Sequence, residues 1–159
     1  IRLSFIMTTI GSIESLERFL ADYSYLPVTF YWSLNFLKPG QRDFFMPGTK
    51  GLSVKRIRDL FSMIAQKTGK KVTVSWILIN GVNDTDEDAR LLSEFLAGGP
   101  FRVKLMNLEK NSMQGFGPSP RKDSFQKQIR KTGLACRRRP IVGGKIKAGC
   151  GTTVSEVVL

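Results

Sequence analysis

Hydrophobic positions along this chain follow two periods, and the places where one gives way to the other divide it into short elements. Residues 2–7 are a brief apolar run that predicts a strand. Over 12–23 the period lengthens, and Ile13, Leu16, Phe19 and Leu20 recur at helical spacing. Residues 28–34, VTFYWSL, are β-branched and aromatic and predict a second strand. A loop marked by proline and glycine follows. Val54, Ile57, Leu60, Phe61, Ile64 and Ala65 then share one face of a helix over 53–67, with Ser53 as its N-cap. The run KVTVSWILI at 71–79 predicts a third strand, and Thr85 and Asp88 open a helix over 85–96 in a capping pattern. A strand over 101–108, a helix over 121–131 and a last strand over 134–138 complete the series.

Strands and helices thus alternate as βαβαβαβα(β). That order predicts an α/β fold with a parallel sheet and helices packed against it. Four such units do not close a barrel, for which eight are typical. An open parallel sheet of this size leaves an edge bare, so a partner or a further segment is expected to cover it. In α/β folds ligands sit at the carboxyl ends of the strands. The predicted ends are residues 4–5, 33–36, 80–84 and 107–111, three of them polar.

Composition sharpens this picture. A chain of 159 residues, 42% of them hydrophobic, is long enough for one domain with a real core. No run of about 18 apolar residues predicts a membrane span. The opening residues lack the pattern of a signal peptide, and the chain starts at Ile1, so either a segment removed upstream or a piece of a longer protein is expected. Lys and Arg number 25 against 13 Asp and Glu, a net charge of +12, which predicts attraction to a polyanion such as RNA. Two cysteines suggest a reducing, cytoplasmic compartment. With no histidine, imidazole catalysis and His-containing zinc sites are excluded. Neither VGGKIKAGC nor GFGPSP matches a phosphate-binding loop, and no metal site of the protein's own is expected.

Three segments carry candidate chemistry. Ser33 and Asn35 lie on one side of their strand at its carboxyl end, placed to hydrogen-bond a ligand. Asn83, Asp84 and Thr85 suit a turn and a helix cap, and that structural role accounts for them almost fully. Cys150 sits between two glycines, near Arg137, Arg138, Arg139, Lys145 and Lys147. Positive charge favours a thiolate, and the same cations suit an RNA backbone. On spacing alone, a reactive thiol and an incidental cysteine in a solvated basic tail are equally good readings.

Taken in order, these segments resemble the carboxyl-terminal part of the radical SAM RNA methyltransferases that methylate adenine in ribosomal and, in some members, transfer RNA. Leu3-Ser4 matches a Leu-Ser pair of that family. Ser33-Leu34 leads to Arg42 nine residues on and to Met46-Pro47, at the family's offsets. Gly81 to Asp84 match its Gly-Val-Asn-Asp, and Gly133, Arg139, Gly143, Ile146, Ala148, Cys150 and Gly151 follow its tail register. The resemblance implies the carboxyl-terminal half of a radical SAM (β/α)6 partial TIM-like barrel over 1–132, followed by a strand and mobile tail over 133–159. It implies Cys150 as the residue that is methylated and passes the methyl to adenine. It implies a S-adenosyl-L-methionine site lined by Ser4, Ser33, Leu34, Asn35, Asn107 and Glu109, and a [4Fe–4S] cluster in the full-length protein.

Departures from the family bear on those expectations. Asn35 replaces its histidine, and Asn107-Leu108-Glu109 stands where it has an Asn-Pro pair. The cluster's C-x3-C-x2-C triplet is not in this sequence. Cys136 does not fall where the family's second, resolving cysteine would. The chain alone is therefore expected to bind neither cofactor well and to be inactive without a missing amino-terminal half. A basic RNA-binding domain without chemistry, and a radical SAM enzyme acting on a peptide or small molecule, are the alternatives.

Overall fold

The structure is a computed structural model; it describes residues 4–109 and 113–138. Five strands form one sheet in the order β1-β2-β3-β4-β5: Phe5–Thr9, Val28–Ser33, Val72–Leu78, Phe101–Asn107 and Cys136–Arg138. Every neighbouring pair is parallel. Sequential order with right-handed crossovers advances always in one direction, which puts all connecting helices on the same side. That is the arrangement of a barrel segment, not of a doubly wound sheet.

The helices are α1 (Ile13–Arg18), α2 (Pro39–Phe45), α3 (Val54–Thr68), α4 (Asp86–Leu96) and α5 (Lys122–Lys131). Side-chain hydrogen bonds cap three of them, those of α3 and α4 as predicted. Ser12 caps α1, Ser53 caps α3, and Thr85 with Asp88 forms a full capping box on α4. The helix expected over 12–23 changes character midway, and Phe19–Tyr23 is a π turn. Helix α2 and the 3₁₀ turn Pro47–Thr49 occupy the stretch expected to be a loop.

One face of the sheet carries the core. Phe30, Trp32, Val74, Trp76, Val103 and Leu105 pack beneath Ile57, Leu60 and Phe61 of α3, Leu92 of α4 and Phe125 of α5. The two tryptophans anchor it. Trp32 lies 5.3 Å from Phe61 and Trp76 lies 6.3 Å from Phe125, ring centre to ring centre. Each indole N–H must find an acceptor when buried. Trp32 donates to the Ile10 carbonyl at 3.3 Å and Trp76 to that of Asn83 at 3.2 Å. Both acceptors lie in loops at the carboxyl end, so core packing itself holds those loops in place.

Among the described residues the other face carries no helix. By strand alternation it presents Ile6, Thr8, Tyr31, Ser33, Thr73, Ser75, Ile77, Arg102, Lys104, Met106 and Arg137. Parallel sheets are ordinarily covered on both faces. Here one face is largely polar and cationic, and no described residue covers the apolar β1 edge, with Phe5 52% and Ile6 69% exposed. Among the described residues no helix is long and apolar enough to cross a membrane.

Candidate functional site at the carboxyl ends of the strands

Three loops meet where β2, β3 and β4 end, and buried polar side chains bind them to one another. Asn83 has no exposed surface. Its Oδ1 accepts from the Ile79 N–H at 2.8 Å, and its Nδ2 donates to the carbonyls of Asn35 at 2.9 Å and Ile77 at 2.8 Å. Asp84 is also buried. It accepts from the Gly81 N–H at 3.1 Å and from the Ser119 hydroxyl at 2.5 Å, while Arg121 Nε donates to its carbonyl at 3.0 Å. Asp88, besides capping α4, pairs with Lys38 Nζ at 2.7 Å. The rim of the site is thus fixed before any ligand arrives.

Asn35 is the one non-glycine with positive φ among the described residues, at 53°. Asparagine tolerates that left-handed conformation better than most residues. Its side chain bridges strands, because Oδ1 accepts from the Ile77 N–H at 3.1 Å and Nδ2 lies 3.8 Å from Met46 Sδ. Its acceptor is therefore already used by β3, and only its amide nitrogen is weakly held. Strained backbone of this kind is found where structure around it is over-determined.

Next to it lies Arg42 of α2, 4% exposed. Its Nη1 donates to the Leu34 carbonyl and lies 3.6 Å from Met46 Sδ. Its Nε and Nη2 have no acceptor among the described residues. Burial pulls this guanidinium down from its ordinary value, against a smaller opposing pull from Asp43. At the end of β4, Asn107 Nδ2 donates to the Ser119 carbonyl at 3.1 Å, and its Oδ1 is buried without a donor.

The structure separates the residues expected to act together. Ser33 and Asn35 stand at a carboxyl end as expected, and Ser75 is the register partner of Ser33. Leu34 turns a fully buried side chain into the core, leaving only its carbonyl toward Arg42. Ser4 is corrected. It precedes β1, whose Phe5 N–H bonds Pro27 at the amino end, so Ser4 lies about 15 Å of strand away from the carboxyl ends. Thr8 and Thr9 hold that end instead. Glu109 follows β4 directly and is half-buried. Of the arginine cluster, Arg137 and Arg138 both line a cleft of about 280 Å³ with Tyr31, Arg102 and Lys104. Arg138 also pairs with Asp123 and donates to Gln126, both of α5. In the cleft, Lys104 Nζ lies 4.8 Å from the Tyr31 ring centre. Arg139, Lys145, Lys147 and Cys150 lie outside the described residues.

Known proteins agree with this geometry. A probable dual-specificity RNA methyltransferase RlmN of Clostridium perfringens is 31% identical over 147 residues, covering 91% of this chain and 42% of its own length. Its namesake in Symbiobacterium thermophilum is 33% identical over 148 residues, covering 91% and 39%. A crystal structure of a radical SAM methyltransferase from Sphaerobacter thermophilus superposes with a TM-score of 0.84 at 26% identity, over 92% of this chain and 43% of that one. Over nine-tenths of its length this chain is similar to the RlmN RNA methyltransferases and to a radical SAM methyltransferase. It spans about two-fifths of the length of those relatives, 42% in the first. No protein-family profile matches it.

The likeness to a radical SAM methyltransferase raises two cofactors, which fit this chain differently. S-adenosylmethionine joins a zwitterionic amino-acid end and a sulfonium to a polar nucleoside, and the unfilled donors of Arg42 and the unfilled acceptor of Asn107 suit such a molecule. The iron–sulfur cluster does not fit. It needs three thiolates, and the whole sequence has two cysteines. One of them, Cys136, is buried, with its thiol pushed up to about 11 by loss of solvent.

Proposed function

We propose that this chain is the part of a radical SAM RNA methyltransferase that receives S-adenosylmethionine at the carboxyl ends of β2 and β4 and supplies the methyl-accepting cysteine. The one-sided sheet carries this reading. A parallel sheet whose bare face is polar, whose apolar edge is uncovered and whose carboxyl ends hold unfilled hydrogen-bonding atoms is half of a ligand-binding barrel. We take residues 1–132 as that half-barrel and 133–159 as its last strand and a tail. The remaining, amino-terminal part of the barrel is the partner that covers β1.

In this reading Ser33, Asn35, Asn107 and Glu109 line the cofactor. S-adenosylmethionine supplies an electrophilic methyl group on a sulfonium. The Cys150 thiol loses its proton, aided by the surrounding lysines and arginines, and its sulfur bonds that methyl as the sulfonium carbon–sulfur bond breaks. The resulting thioether is carried to an adenine of ribosomal or transfer RNA, whose backbone is held by cations including Arg137, Arg139, Lys145 and Lys147. Radical chemistry on the base requires a cluster held by cysteines that this chain does not contain, so those residues lie elsewhere in the complete enzyme. Such work on RNA suits a cytoplasmic protein.

The test is single-turnover methylation by the full-length protein and its Cys150→Ala variant. The variant is expected to lose all methyl transfer to RNA while its RNA affinity changes less than about twofold, since one neutral side chain contributes little to phosphate binding. Retained transfer by the variant would overturn the assignment.

A further inference from the structure

Arg42 is a buried charge that makes no ion pair among the described residues, with only the lesser pull of Asp43 to offset its burial. A guanidinium stays protonated in proteins whatever its surroundings. Burying one unpaired is costly, so buried charges are paired or hydrogen-bonded throughout. Arg42 meets only the Leu34 carbonyl and the Met46 thioether, both through Nη1. Its unfilled nitrogens are Nε and Nη2. Those two carry the parallel N–H pair on one edge of the guanidinium, the fork that accepts both oxygens of a carboxylate at once. A phosphate would match the fork too, but its further oxygens would need donors in the same buried place.

We infer that Arg42 is a carboxylate receptor, its Nε–Nη2 fork reserved for a group that arrives from outside the described residues. Its place favours a ligand at the cofactor end. Through the Leu34 carbonyl it adjoins Ser33 and Asn35, and Met46 Sδ touches both Arg42 Nη1 and Asn35 Nδ2. Met46 is half-buried and caps the end of α2, and a methionine side chain repacks readily, so it can yield the fork to a ligand. Two carboxylates can reach it. One is that of the methionyl moiety of S-adenosylmethionine, which rests on the function proposed above. The other is an aspartate or glutamate of the complete protein that packs against α2.

The experiment uses the full-length protein with Arg42→Met, which keeps the length and loses the charge, and Arg42→Lys, which keeps the charge and loses the fork. Affinities for S-adenosylmethionine and for its decarboxylated analogue are measured by calorimetry, with the melting temperature of each unliganded protein. If the cofactor carboxylate is the occupant, the wild type prefers S-adenosylmethionine at least about tenfold, as expected for a bidentate charged pair. Arg42→Met then binds both compounds alike, with Arg42→Lys between. If a protein carboxylate is the occupant, the preference is the same in all three proteins, and Arg42→Met melts well below the wild type. The inference is overturned if Arg42→Met keeps the wild-type preference and melts as high as or higher than the wild type. A wild type that binds neither compound would refute the proposed function and leave the melting comparison standing.

Discussion

Replacing Asn83 by alanine should cost more stability than its size suggests, because its side chain closes three backbone groups that nothing else reaches. The Ile79 N–H loses its acceptor at 2.8 Å, and the carbonyls of Ile77 and Asn35 lose their donors at 2.8 and 2.9 Å. The position has no exposed surface, so water does not replace them without opening the loop. A hydrogen bond contributes about 1 kcal/mol net, and a buried group left unpaired costs about 1–3 kcal/mol. Three together give a loss of about 3–5 kcal/mol, a large share of the roughly 5–15 kcal/mol that holds a domain folded. Urea unfolding reads this directly. With a slope of about 2–3 kcal/mol/M, the midpoint falls by about 1–2 M at unchanged slope. Asn83→Asp should do no better, because it keeps the acceptor for Ile79 but sets a carboxylate against two carbonyls. A loss under about 1 kcal/mol for Asn83→Ala would refute the claim that this residue ties the β2 loop to β3.

Further expectations concern the core, the buried thiol and the charge. Gly11 has φ of 97°, and a Cβ there would meet Ile57 Cγ2 at 2.6 Å. Gly11→Ala should therefore lower stability by about 2–4 kcal/mol from backbone strain and overpacking combined, measured by the same unfolding titration. Cys136 is buried and its thiol is held up at about 11, above the ordinary value of 9.0. A raised acid contributes stability that is present below the unfolded pKa and lost as pH climbs through the folded one. The melting temperature should accordingly decline between pH 9 and 11, and Cys136→Ser should flatten that decline. Native Cys136 should also resist alkylation at pH 8 far longer than the unfolded chain does, by mass spectrometry. RNA affinity of the full-length protein should fall steeply with salt, and Arg137→Ala should reduce the slope of log K against log salt by about 1.

Local chemistry and non-local geometry divide what the sequence made legible. The alternation of strand and helix, the caps Ser53 and Thr85 and the core face of α3 were readable because each rests on neighbours within a turn or two. Helix α2 was hidden because Pro39 and Gly40 read as a loop, although proline suits the first turn of a helix. Strand β1 was placed early because its apolar residues stay exposed and show no burial period, and Thr8 and Thr9 were passed over in favour of Ser4. Asn35 looked like a free polar group on the ligand side, yet β3, some forty residues on, uses its carbonyl oxygen. Arg137 and Arg138 read as one basic patch, and both line one cleft, but Arg138 is also tied to Asp123 of α5, a partner distant enough in sequence to be hidden. The Arg42 offset was visible as part of a motif, but only burial showed that its fork is empty.

Methyl transfer through Cys150 is read out by mass spectrometry of the Cys150 peptide. The full-length protein is purified after turnover with S-adenosylmethionine bearing a heavy-isotope methyl, then digested and sequenced by fragmentation. One labelled methyl is expected on the sulfur of Cys150 and none on Cys136, whose buried thiol stays protonated. An unmodified Cys150 in protein that nonetheless transfers the labelled methyl to RNA would contradict that expectation.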